Sequence, residues 1–441
     1  MYCSPRGLVF NHIGGEPVKK NLYLIGMMFI LFFSCGQAVR YPSSAGTFAP
    51  AASQACTSFC LDNNGCAVFG TNYDHYTVYE GLVFVNKKNV VKTAQTPSTT
   101  GKYASWTSRY GSVTFNLVGY QYVWAGMNEA GLVISTMNLG YATQNPLPDE
   151  RPPLDSCIWV QYQLDNCSTV EDVIASDSLI RIAHTVDHYL VCDRKGTCAA
   201  IEFIGGKMVC HTGETMPVKA LTNNTYHESV RAWQVSSLFP VTNSSLRRFS
   251  TAANRVKSFR SNTSESAVDY AFDTLEKVSG EKVGRSTTFW SIVFDTENFL
   301  IYFRTKSSPH IRYINVDMLD FSCDTPAMMM DINEDLSGDV TGDLRVYSHH
   351  INLAHMTRFC EKWGLDISPS SIAAICQHFE GFPCIAHDKH SERNSEELDA
   401  SRLIEDTSDD TNVSNLESGH LLVILVVGCI VYFTHRSRRG H

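Results

Sequence analysis

From residue 56 to about residue 316, alternation of apolar and polar positions divides the chain into short β-like runs bounded by turn residues. They fall at 56–60, 66–72, 82–86, 112–118, 131–137, 188–193, 198–204, 207–211, 288–295 and 299–305. Helical patterns lie between them. Ile158–Leu164 carries one, and Ser168-x-x-Glu171 has the spacing of a capping box that would open a further helix through Ile174. Tyr226–Leu238, Ala252–Lys257 and Ala267–Lys277 read as helices as well. Strand clusters alternating with helix clusters predict α+β layering. Residues 323–387 bear Cys and His without a clean period and receive no element, and no internal repeat is apparent.

Two apolar runs stand outside this pattern. Leu22–Ser34 follows Lys19 and Lys20 and precedes the small-x-small triplet Gly36-Gln37-Ala38, the layout of a secretory signal over residues 1–38. Leu421–Phe433 is followed by His435, Arg436, Arg438 and Arg439, which reads as a stop-transfer segment over 420–434 with a basic cytosolic tail at 435–441. Between the signal and residue 56, a Pro/Ser/Ala-rich stretch, 39–55, reads as a pro-segment. The acidic, Ser-rich stretch 388–419 reads as a solvated linker. The folded domain is expected over 56–387, on the lumenal or extracellular side of a single-pass membrane protein.

Composition narrows the function classes. The net charge of the 441-residue chain is −9, and 389–419 alone holds nine acids against three bases. The remainder is close to neutral and has no basic run able to neutralise a phosphate backbone, which excludes nucleic acid as a partner. Fifteen cysteines suit an oxidising compartment. Cys60–Cys66 and Cys192–Cys198 each flank a Gly-containing turn and are expected as cross-strand disulfides. Five Asn-x-Ser/Thr sites, at Asn166, Asn223, Asn243, Asn262 and Asn412, fit a secreted glycoprotein.

The segment richest in chemistry is CTSFCLDNNGCAVFGTNYD, residues 56–74. A hairpin whose first strand starts at Cys56 would return Asp74 to it. Were Cys56 exposed as a new N-terminus, its α-amine, with an ordinary pKa of about 7.7–8.0, could take the thiol proton without a histidine.

This segment resembles the N-terminal nucleophile hydrolases of the choloylglycine hydrolase and penicillin V acylase family, the linear amide C–N hydrolases. GMNEAGLVISTMNLG (126–140), WVQYQLDN (159–166), ALTNNTY (220–226) and SLRRF (245–249) match in order, and the likeness covers about 56–345. The resemblance implies a four-layer αββα sandwich. It implies Cys56 as nucleophile and, through its amine, as general base, with Asp74 orienting that amine. Asn138 and Asn223 would bind the oxyanion or position the amide, and Arg248, or Arg247 beside it, would steady the nucleophile electrostatically. A catalytic Asn223 would carry no glycan. One departure stands out: where the family carries arginine in Phe-Gly-Arg-Asn-x-Asp, this chain has Thr71.

No cofactor is expected. His184-x-x-x-His188 has metal-ligand spacing but no evident third ligand, and His349, His350 and His355 are likewise set aside. Asp331-x-Asn333-x-Asp335 lacks the Gly and Glu of a calcium loop and reads as a capped turn. The expected activity is hydrolysis of a small-molecule N-acyl amide. The aromatics Tyr73, Tyr76, Tyr79 and Trp124 favour an apolar acyl group. A homo-oligomer is compatible with this reading. The alternative is a catalytically inactive lumenal or cell-surface binding protein that keeps the fold.

Overall fold

The computed structural model describes residues 55–63, 66–76, 80–260, 263–280 and 286–385. The signal, pro-segment, acidic linker, membrane segment and basic tail expected from the sequence lie outside these residues, apart from Ala55. Among the described residues no helix is long and apolar enough to cross a membrane.

Among the described residues, twenty strands, numbered along the chain, form two large sheets and two short pairs. Seven make the first sheet, in the order β14 (Ala220–Leu221), β1 (Thr57–Asn63), β2 (Cys66–His75), β15 (Thr287–Asp295), β16 (Leu300–Thr305), β17 (Arg312–Asn315) and β19 (Gly338–Asp339). Nine make the second. It runs β13 (Lys207–Thr212), β12 (Cys198–Ile204), β11 (Asp187–Cys192), β8 (Val133–Asn138), β7 (Val123–Asn128), β6 (Ser112–Asn116), β3 (Leu82–Asn86), β18 (Met328–Asp331) and β20 (Arg345–Val346). The hairpin β4 (Val91–Pro97) with β5 (Tyr103–Thr107) and the pair β9 (Pro153–Leu154) with β10 (Arg181–Ile182) stand apart.

Among the described residues the α-helices are α1 (Ser156–Asn166), α2 (Val170–Ala175), α3 (Tyr226–Val235), α4 (Ser244–Ser258), α5 (Ser264–Lys277), α6 (His349–Lys362) and α7 (Pro369–Glu380). Helices α4 and α5 pack on β1, β2 and β15 of the first sheet. Helices α1, α2, α6 and α7 share a second apolar cluster with the outer face of the nine-stranded sheet. Between the sheets, the Phe115 ring meets Phe294 and Phe303 edge-on, and Trp124 meets Tyr73 and Trp290. The order of layers is therefore helix, sheet, sheet, helix: the αββα sandwich expected.

Alternation along β1 and β2 explains why the hairpin sits there. Registered pairs lie on one face, so Ser58 with Thr71 and Cys60 with Phe69 face the second sheet, while Thr57 with Asn72 and Phe59 with Gly70 face the helices. Gly70 is needed because a Cβ there would stand 2.7 Å from the Phe59 ring.

That register corrects one expectation. Cys60 opposes Phe69, and Cys66 opposes Asn63, so the two cysteines are three positions out of step and Cys60 remains a free thiol. Cys192 and Cys198 are direct partners on β11 and β12 and do form a disulfide. A second disulfide, Cys323–Cys384, lies in the stretch left unassigned from sequence. The cap of α2 is also displaced by one residue. Thr169 and Asp172 make the reciprocal capping box, while the Ser168 backbone and hydroxyl both donate to Asp172. Near Asp331, the Asn333 backbone N–H donates to the Asp331 carboxylate at 2.8 Å, the capped turn expected.

Candidate active site

Cys56 immediately precedes β1, and the hairpin brings the end of β2 back beside it. The Cys56 sulfur lies 3.9 Å from the Asp74 carbonyl oxygen, to which the Ala55 backbone N–H donates at 3.4 Å. A bulge in β15 between Thr288 and Trp290 places Thr288 opposite Asp74, and its hydroxyl donates to the Asp74 carboxylate at 2.6 Å.

From the helical side, Arg248 on α4 reaches through to the same point. Its Nη1 donates to the Cys56 carbonyl and, at 2.7 Å, to the Thr57 hydroxyl; its Nη2 donates to Asn223 Oδ1 at 2.8 Å. Asn223 Nδ2 donates in turn to the Asn138 carbonyl at 2.8 Å. Arg248 is 1% exposed, while Arg247 points outward. Four of the five predicted residues thus form one chain, Asn138 to Asn223 to Arg248 to Cys56, and Asp74 approaches Cys56 from the other side. Both ends of the Asn223 amide are engaged within the protein.

The site is closed in the uncleaved chain. Cys56 is 0% exposed and Ala55 3%. Burial, reinforced by the Asp74 charge, pushes the Cys56 thiol up to about 12, against the pull of Arg248 and the Asp74 backbone. Burial also lowers the Arg248 pKa, while Asp74 and Cys56 hold it up. Thr71, the residue standing where the resembling family has arginine, binds no charge. Its hydroxyl shares a buried trio with Ser58 at 2.8 Å and Ser135 at 2.9 Å.

Sequence reasoning missed the supporting residues. Asp187 is registered with Asn138, accepts from Ser156 at 2.8 Å, and is raised to about 6 by burial. His188 and Glu202 sit behind Thr222, at 3.1 Å from one another. Their signal was present: Glu202 is the lone acid in the apolar strand CAAIEFI. Tyr73 and Trp124 are core residues at 1% and 5% exposure, packed on Trp290, so they do not line an open acyl pocket. Tyr76 is exposed, and Tyr79 lies outside the described residues.

Residues 56–269 match the model of the linear amide C–N hydrolases, choloylglycine hydrolase family. A penicillin V acylase from Pectobacterium atrosepticum is 25% identical over 269 residues, 50% of this chain and 70% of that one. Among solved structures, penicillin V acylase from Agrobacterium tumefaciens superposes with a TM-score of 0.59 at 25% identity, over 66% of this chain and 98% of its own. A variant of conjugated bile acid hydrolase from Clostridium perfringens shares the fold, with a TM-score of 0.52 at 16% identity over 64% of this chain and 98% of its own.

Proposed function

Through residues 56–269 the chain belongs to the linear amide C–N hydrolases of the choloylglycine hydrolase family, and on that premise we propose that Cys56 becomes a free N-terminal residue and hydrolyses N-acyl amides through an acyl-enzyme. The observation that carries this reading is the convergence on buried Cys56 of Arg248, which donates to the Cys56 carbonyl and is held by Asn223, and of Asp74, whose backbone carbonyl faces the Cys56 sulfur. Such an arrangement is superfluous for a structural half-cystine, and Cys56 is a free thiol.

While Ala55 is attached, the Cys56 nitrogen is an amide and cannot accept a proton. Cleavage of the 55–56 bond, by attack of Sγ on the Ala55 carbonyl followed by hydrolysis of the resulting thioester or by a separate protease, yields the amine and opens the site. The thiol proton then passes to that amine as sulfur adds to the substrate carbonyl. Arg248 fixes Asn223 Oδ1 and the Asn138 carbonyl takes one N–H of its amide, which leaves the second Asn223 N–H as the oriented donor for the oxyanion. The ammonium returns its proton to the departing amine, the acyl group stays on sulfur as a thioester, and water releases the acid. Asp74, held by Thr288, orients the α-amine.

We place this chemistry in the secretory pathway, with the domain held at a membrane by the segment 420–434. The Cys192–Cys198 and Cys323–Cys384 disulfides support an oxidising compartment.

N-terminal sequencing of the mature chain, with assays of wild type and Cys56→Ala on a panel of N-acyl amides, tests the proposal. A Cys56 N-terminus with amidase activity that the variant lacks is expected. A mature chain retaining Ala55 that still hydrolyses amides overturns the mechanism. A Cys56 N-terminus without activity favours the binding-protein reading, for which the uncharged Thr71 trio is the supporting observation.

A further inference from the structure

Behind the site, His188 on β11 is wholly buried between two groups. Its Nε2 faces the Thr222 carbonyl, which can only accept, and its Nδ1 lies 3.1 Å from Glu202 Oε1 on β12. Glu202 is 1% exposed and takes two other contacts: the Tyr226 backbone N–H donates to Oε1 at 2.9 Å, and His211 Nε2 lies 3.4 Å from Oε2. Because the Tyr226 N–H donates to Oε1, that oxygen is an acceptor towards Nδ1 just as Thr222 O is towards Nε2. An imidazole between two acceptors must donate from both nitrogens.

We propose that His188 is held as an imidazolium between Glu202 and the Thr222 carbonyl, and that this buried ion pair is a positioning element fixing the 222–223 backbone and, through it, the Asn223 amide and Arg248 at the nucleophile. The inference rests on the reading of the site given above. Thr222 immediately precedes Asn223, whose carbonyl oxygen Oδ1 receives Arg248 and whose NH₂ meets the Asn138 carbonyl. A shift of the Thr222 carbonyl therefore moves both ends of the amide that the mechanism uses. The same two residues are also tethered to α4. Ser245 Oγ donates to Thr222 Oγ1 at 3.0 Å and accepts the Asn223 backbone N–H at 2.9 Å. Loss of the His188 contact accordingly loosens the donor without releasing the loop.

Two measurements on the full-length chain test the proposal. In ¹⁵N-histidine NMR at neutral pH, His188 should show protons on both ring nitrogens, assigned by loss of the pair in His188→Gln or, if that variant does not accumulate, by its change in Glu202→Gln. One protonated nitrogen overturns the proposal. In kinetics, His188→Gln should lower kcat about tenfold with KM within about twofold, since it sets a neutral amide against a stranded carboxylate. His188→Gln/Glu202→Gln should recover part of kcat, because two amides can pair and still donate to Thr222 O. Wild-type kcat in folded His188→Gln overturns the positioning role, as does a parallel collapse of kcat, KM and Tm in both variants. If the mature wild type hydrolyses no amide, the functional reading fails, and the ring protons alone decide the ion pair.

Discussion

Arg248 is the cation whose field lowers the Cys56 thiol pKa, opposed by Asp74 and Asp187. Arg248→Gln keeps a donor near Asn223 but removes that charge and the fork geometry, so kcat/KM should fall about 10²–10³-fold, measured on the mature chain with folding checked by Tm. Asp155, at the start of α1, accepts from Thr96 through one carboxylate oxygen while the other is buried without a partner, and burial raises it to about 7. Its folded pKa thus exceeds the ordinary value of about 3.9, so the folded state binds the proton more tightly. The stability this contributes is present at about pH 4 and is lost as pH rises to about 7. Asp155→Asn should therefore raise Tm relative to wild type more at pH 8 than at pH 4, as read by thermal melts at the two pH values; an equal difference at both would contradict it. Residues of the site were legible where chemistry dictates type and order, as for Cys56, Asp74 and Arg248. Thr288 and His188 were not, because they act through a bulge and a carbonyl that only the fold creates.

Elements were legible where turn residues bound an apolar or amphipathic run. Helix α5 and strands β2 and β12 appeared close to their observed bounds, β12 although it is buried at all but its last position, whereas β7, VWAGMN, is buried at every position and has no alternation to read. Helix α6 escaped for a different reason. Asn352 and His355 occupy the buried face of α6, where the Asn352 side chain accepts from Tyr120 N–H and His355 donates to the Leu117 carbonyl, so the apolar stripe is interrupted by polar groups that find partners only in three dimensions. The displaced cap of α2 gives a direct check. Thr169 Oγ1 accepts from Asp172 N at 3.1 Å, and the Asp172 carboxylate accepts from Thr169 N at 3.0 Å. Thr169→Ala should cost about 1 kcal/mol of unfolding free energy, and Ser168→Ala a smaller amount, in urea titrations.

At the scale of the molecule, Cys323–Cys384 joins the chain after β17 to the end of α7 across 61 positions. The chain-entropy model assigns a loop of this length about 4 kcal/mol, so Cys384→Ser should lower the urea midpoint markedly while Cys56, whose contacts run to Asp74 and Arg248, stays in place. Equal loss of stability and of Cys56 reactivity in the isolated variant would contradict that separation. The pairing of β2 with β15 has a consequence for the order in which the protein is made. Asp74 and the Thr288 that holds it are 214 positions apart, and at about 5–20 residues per second the ribosome needs roughly ten to forty seconds to supply the second after the first. Arg248 arrives between them. Cys56 is translated first and Thr288 last, so the chemistry proposed for Cys56 would be timed by the length of the message that follows it.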